Sequence, residues 1–152
     1  MSTGTQLSDD EIHAWRSFLL AHRHLTKVLD RELVDAHGVS LPAYEVLLHL
    51  SRAPDRSARM SELAGRVLLS PSGITRLVDR LVGDGLIERT ACSSDRRGVM
   101  ARLTDEGWKR FREAAPTHVR GVREHFVERL GPPHLDAVAE AMDQIVEPEP
   151  EA

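Results

Sequence analysis

Two sets of side chains between Met60 and Leu103 have the types and spacing for reading a polyanion. In the stretch Ser70 to Gly85, Ile74, Leu77, Val78 and Leu81 recur at helical spacing and mark an inward stripe. At about 100° per residue, Ser72, Thr75, Arg76 and Asp79 then fall on the opposite face. A small polar face carrying one long guanidinium enters a major groove without clash and sets hydroxyls and Arg76 against base edges. The second set is Asp95-Arg96-Arg97 in the turn cluster Ser93 to Gly98. Adjacent arginines at an exposed tip reach phosphates or a narrow minor groove, and Asp95 can orient a neighbouring guanidinium through a bidentate hydrogen bond. Ser70, Ser72 and Thr75 fit direct contacts or simple capping and solvation. Arg80 is placed to swing to a phosphate or to pair with Asp84, while Arg56 and Arg59 read as a solvated loop or as extra phosphate contacts.

Other chemistries have less support. Of the eight histidines, His22, His24, His49, His118 and His125 are candidate metal ligands by type; no pair has H-x-x-x-H spacing, and Cys92 has no C-x-x-C partner. Core or interface histidines are the preferred reading, with no metal and no cofactor. Cys92 stands near Arg89 and Arg96, which favour a thiolate, but a half-buried structural cysteine is preferred over a sensor. There is no Gly-rich phosphate loop, G-x-S-x-G or H-E-x-x-H, and neither serine of Ser70-Pro71-Ser72-Gly73 has an adjacent base. No catalytic residue is therefore assigned, and an enzyme is not expected.

The elements that must position these residues follow in order. Ser8 caps a long helix and forms a capping box with Glu11; Ile12, Trp15, Phe18, Leu19, Leu25, Leu29 and Leu33 keep one side apolar until Gly38. So long a helix in a chain this small needs a partner, which points to a dimer interface. Ser40-Leu41-Pro42 starts a second helix to about Arg52, and 53–57 is a loop. Ser61, read as a cap, opens a short helix to about Leu68 with Leu63, Ala64 and Val67 inward. Ser70 caps the next, with Pro71 at its first position, and Gly83 and Gly85 close it. Leu86 to Thr90 and Val99 to Leu103 are the strands of a hairpin. Thr104 caps a helix carrying Trp108, Phe111 and Val119 towards Phe126, kinked or divided at Pro116. Gly131-Pro132-Pro133 breaks the chain before a last helix striped by Leu135, Val138, Ala139, Met142 and Ile145.

The fold class expected is mainly α with a small β-hairpin wing. A winged helix-turn-helix head (40–103) joins a helical dimerisation region (9–38 and 105–146) in one domain, with disordered tails at 1–7 and 147–152. The 152 residues suffice for a core without staples, one cysteine rules out an internal disulfide framework, and no apolar run reaches the roughly 18 residues of a membrane helix. The N-terminus lacks a secretion signal, so the cytoplasm is expected. Net charge is −4, yet 60–103 carries seven arginines against five acids, a local +2. A modestly basic head on an acidic body suits a few placed contacts better than bulk attraction.

At this point the chain resembles the MarR (multiple antibiotic resistance regulator) family. The resemblance rests on Met60-Ser61-Glu62-Leu63-Ala64, the run Ser70 to Leu81, Gly85-Leu86-Ile87-Glu88-Arg89, Asp95-Arg96-Arg97-Gly98 and Leu103-Thr104-Asp105-Glu106-Gly107, in that order, and covers about 9–145. It implies a homodimeric, sequence-specific DNA-binding transcriptional regulator, foremost a repressor of nearby genes on a pseudo-palindromic operator, with Arg97 deepest in the minor groove. The competing reading is a winged-helix protein-interaction module without specific DNA binding. The resemblance also implies a small aromatic or phenolic effector, with a pocket lined by Trp15, His22 and Tyr44 set against plain core packing.

Overall fold

Ser8 starts the first helix as its spacing to Glu11 predicts. In the computed structural model, which describes residues 6–67, 69, 71–92 and 98–146, the Ser8 hydroxyl accepts from the Glu11 N–H at 3.3 Å. The Glu11 carboxylate accepts from the Ser8 N–H at 2.7 Å, and these bonds hold the Glu11 carboxyl below its ordinary range. The helix α1 (Asp9–His37) runs 29 residues to Gly38. A second cap follows at once: the Ser40 hydroxyl accepts from the Ala43 N–H, and the Asp30 carboxylate accepts from the Leu41 N–H at 2.8 Å. These bonds fix the start of α2 (Leu41–Arg52) against α1.

The head continues with β1 (Ser57–Arg59), α3 (Met60–Arg66), α4 (Pro71–Gly83), β2 (Ile87–Ala91) and β3 (Val99–Leu103). The strands form an antiparallel sheet in the order β1-β3-β2, with Ala58 opposite Ala101 and Arg89 also opposite Ala101 from the other side. The sheet thus has one strand more than the predicted hairpin, β1 lying where a loop was expected. The body is completed by α5 (Asp105–Val122), a π-helical turn (Arg123–Val127), α6 (Glu128–Leu130) and α7 (Pro132–Asp143).

Nearly all of the core belongs to the head. Every buried apolar side chain among the described residues except Leu33 and Ala114 lies between Val39 and Leu103. Leu47, Leu50, Leu63, Ile74, Val78 and Ile87 are among the largest fully buried, so α2, α3, α4 and the sheet close over one another. The body differs. Trp15, Phe18, Leu19, Leu20, Val119, Val127 and Ile145 are all substantially exposed within the single chain, and no residue of α7 is buried. No helix among the described residues is long and apolar enough to cross a membrane.

Several local expectations need correction. Ser61 does not cap α3; Arg59 holds that position, its N–H donating to the Glu62 carboxylate at 3.4 Å, so the helix begins earlier than Ser61 implies. Pro116 does not divide α5, which runs unbroken from Asp105 to Val122. Ala114 and Thr117 on either side of the proline are buried, and the Thr117 hydroxyl meets His37 Nε2 at 2.8 Å. That grip against α1 outweighs one missing N–H, and the irregular turn comes at Arg123–Val127 instead. Val119, Ala139 and Ile145 face outward in the single chain.

Candidate nucleic-acid interface

The helix α4 presents the two faces that its periodicity predicts. Ile74, Leu77, Val78 and Leu81 are buried, while Ser72, Thr75, Arg76 and Asp79 are exposed. Burying four branched aliphatic side chains removes about 1.5–3 kcal/mol worth of apolar surface per residue from water, enough to fix the rotation of the helix and hence the direction of its polar face. Its C-terminus is locked by a Schellman motif. The Leu86 N–H donates to the Leu81 carbonyl at 2.9 Å and the Gly85 N–H to the Val82 carbonyl at 3.0 Å. Gly85 takes φ 72°, the left-handed conformation that this motif requires.

The same corner joins head to body. The Thr104 hydroxyl donates to the Gly85 carbonyl at 2.7 Å and accepts from the Gly107 N–H at 3.0 Å, capping α5. The Thr104 N–H donates to the Leu86 carbonyl at 3.1 Å. Gly107 is needed here, because a Cβ at that position would lie 2.0 Å from the Leu86 carbonyl oxygen. The first turn of α5 is therefore seated directly on the end of the presented helix.

Beyond α4 the hairpin closes with the Cys92 N–H donating to the Gly98 carbonyl at 3.0 Å. Glu88 and Arg102, directly opposite on β2 and β3, pair at 3.6 Å on one face of the hairpin. On its other face the Arg89 guanidinium reaches back to the Asp79 carboxylate of α4. Arg80 extends to the hydroxyl of Ser40, the N-cap of α2, at 3.5 Å, and not to Asp84, one of the two partners considered for it. Arg56 is no solvated loop residue: its guanidinium lies 4.5 Å above the Trp108 ring and 3.4 Å from Asp105, joining β1's approach to α5. Of the predicted contact residues, Ser72, Thr75, Arg76 and Arg80 are thus placed together on α4. Ser70, Asp95, Arg96 and Arg97 lie outside the described residues.

The three residues proposed for an effector pocket are not brought together within one chain. Trp15, Phe18 and His22 form a stack with centroid separations of 6.0 and 6.3 Å on the exposed face of α1. Tyr44 is buried against Phe111 and His118, at 5.6 and 4.4 Å. Burial raises the Tyr44 phenol above its ordinary value and lowers His118 below 6.5. Thr117, beside His118, bonds to His37, so Trp15 sits some 20 residues back along α1 from Tyr44's level, about 30 Å at 1.5 Å per residue. A different cleft, of about 530 Å³, opens where head meets body, lined by Val34, Ser40, Ala43, Arg80, Leu81 and Arg110 among others. Among the described residues no group of three His, Cys, Asp or Glu side chains is placed to hold a metal ion.

Comparison with known proteins agrees with this geometry. A model of the MarR family matches residues 37–98. The structure of Sco3205, a MarR family transcriptional regulator from Streptomyces coelicolor solved in complex with DNA, superposes with a TM-score of 0.89 at 34% identity, covering 98% of this chain and 95% of that one. The chain belongs to the MarR family. A second MarR family regulator of Streptomyces coelicolor, AbsC, gives a TM-score of 0.86 at 36% identity over 93% of this chain and 95% of its own. Among curated proteins, the transcriptional repressor MdtR of Bacillus subtilis is 38% identical over 82 residues, 54% of this chain and 52% of that protein. The repressor YetL of the same organism is 33% identical over 81 residues, 53% and 48% of the two chains. The matched segments thus span about half the length of these curated MarR relatives.

Proposed function

We propose that this MarR family protein is a homodimeric, sequence-specific DNA-binding transcriptional regulator of the cytoplasm, in its simplest form a repressor of nearby genes, and not an enzyme. The observation that carries the reading is the exposed Ser72, Thr75 and Arg76 face of α4, held in register by the buried Ile74, Leu77, Val78 and Leu81 beneath it. Such a face fits a major groove, and the residues between β2 and β3, Ser93-Ser94-Asp95-Arg96-Arg97, supply guanidinium groups for the flanking minor groove. Ser70, which precedes Pro71 in the sequence, is a further candidate for DNA contact. A protein-binding module would favour aromatic or apolar anchors at the hairpin tip, and this tip is polar and cationic.

Dimerisation follows from what the single chain leaves uncovered. The N-terminal half of α1 exposes Trp15, Phe18, Leu19 and Leu20, and no residue of α7 is fully buried. A second copy is the occupant that gives these helices a core. Two heads related by a two-fold axis then read half-sites centred about one helical turn apart, near 10 base pairs. The relatives named as repressors, and Sco3205 with its bound DNA, support the same reading. A small aromatic or phenolic effector binding at the head–body cleft beside Arg80 and Arg110 would shift head separation, with a coupling on the order of 1–3 kcal/mol. The test is a salt-titrated binding assay on the intergenic DNA beside the gene, with Arg96→Ala and Arg97→Ala made together. Two-fold-symmetric protection by the parent, with a steep salt dependence that becomes shallower in the variant, supports the reading; binding no tighter than to random duplex overturns it for that site.

A further inference from the structure

The ion pair between Asp79 and Arg89 stands out because Asp79 is on the wrong side of the molecule for its charge. It shares the exposed face of α4 with Ser72, Thr75 and Arg76, the face that the DNA-binding reading turns towards phosphates. An isolated carboxylate there repels the ligand. Yet its oxygen is taken by the Arg89 guanidinium, at 2.5 Å, from the middle of β2. Both side chains keep solvent exposure, 55% and 35%, so the pair is neither a core element nor a desolvated charge. Its location gives it a different use. Arg89 lies only three residues before Cys92, whose N–H donates to the Gly98 carbonyl at 3.0 Å and closes the hairpin. The opposite face of β2 is already tied to β3 by Glu88 and Arg102.

We propose that Asp79 and Arg89 are positioning residues: the pair clamps the hairpin to the recognition helix and sets the angle between the major-groove face of α4 and the arginines at the tip. The inference rests on the DNA-binding reading above. Arg89 is then spent on Asp79 and not on a phosphate, and Asp79 contributes by holding the wing despite carrying the charge that DNA disfavours.

The clamp and a purely electrostatic account predict opposite signs. The experiment measures affinity and salt dependence of the full-length parent, Asp79→Asn, Asp79→Glu, Arg89→Gln and the Asp79→Asn, Arg89→Gln double variant, on a duplex selected from random DNA by the parent. The clamp predicts that Asp79→Asn weakens binding about tenfold although it removes a negative charge. Arg89→Gln weakens it similarly with an unchanged salt slope, the double variant is no worse than either single, and Asp79→Glu recovers most of the loss. Helical circular dichroism and thermal midpoint, which an exposed pair scarcely moves, confirm that each variant is folded. If Asp79→Asn binds as tightly as the parent or tighter, or if Arg89→Gln lowers the salt slope by about one and the two effects add, the clamp is overturned while the DNA reading stands. A folded parent that enriches no duplex at all overturns both.

Discussion

Among the described residues nearly all of the buried core lies between Val39 and Leu103, and outside that span only Leu33 and Ala114 join it. The head buries Leu47, Leu50, Leu63, Ile74 and Val78 completely, whereas the body leaves Trp15 56% and Leu20 61% exposed. Both regions carry amphipathic helices, so amphipathicity alone does not separate them. What separates them is where the partner surface comes from. The head finds it within a few dozen residues, through α2, α3, α4 and the sheet. In the homodimer proposed above, a second copy of the chain supplies the complementary surface for α1 and α7, and the body of one chain is half of that structure.

The sharpest way to break this contrast is to place a charge in the body's open face. Phe18→Asp is expected to convert the dimer to a monomer at micromolar concentration, because pairing would bury an uncompensated carboxylate. Sedimentation velocity reads the change, and loss of simultaneous engagement by two heads lowers affinity for a two-fold site by about a hundredfold or more. A core truncation in the head should behave otherwise. Leu47→Ala leaves a cavity at a fully buried position and is expected to cost about 2–5 kcal/mol. Denaturant melts should show a loss in the head that does not depend on protein concentration, in contrast to the body's concentration-dependent unfolding.

The junction between the two regions is the next target. Thr104→Val removes both the cap on Gly107 and the bond to the Gly85 carbonyl, and should cost about 1–2 kcal/mol while loosening α4 from α5. Hydrogen exchange at Gly85 to Gly107 amides checks it, with faster exchange expected there than in α2. The smallest effect concerns pH. Burial depresses His118 below 6.5, so the folded chain resists the proton that the unfolded chain accepts. Stability from this group is fully present above about pH 6.5 and is lost as the pH drops below that value. His118→Phe, which keeps a ring against Tyr44, is expected to flatten thermal stability over that range.

Much of the fold was legible because its signals are local. Ser8 with Glu11, Ser40 with Ala43, and Thr104 with Gly107 are three-residue caps, and the stripe Ile74, Leu77, Val78 and Leu81 is a period within one helix. The errors came where distant chain decides. The strand Ser57–Arg59 has only three residues, too few to show alternation, and exists because β3 pairs with it from more than 40 residues away. Pro116 carries a breaker's signal, yet packing against α1 overrides it. In the site, Arg76 and its hydroxyl neighbours could be placed from periodicity. The reach of Arg89 to Asp79, of Arg80 to Ser40 and of Arg56 to Trp108 could not, because each depends on how two elements meet. Trp15 and Tyr44 were grouped by chemistry, and only the length of α1 shows them far apart in one chain.

The central claim is that two self-contained heads are fixed at one spacing by a shared body. The most direct measurement takes the selected two-fold duplex and inserts five base pairs between its half-sites. That turns one half-site to the opposite face of the helix, and the account predicts a fall in affinity of about a hundredfold, to the level of a duplex with a single half-site. Affinity that is unchanged by the insertion would mean that the heads bind independently, and would contradict it.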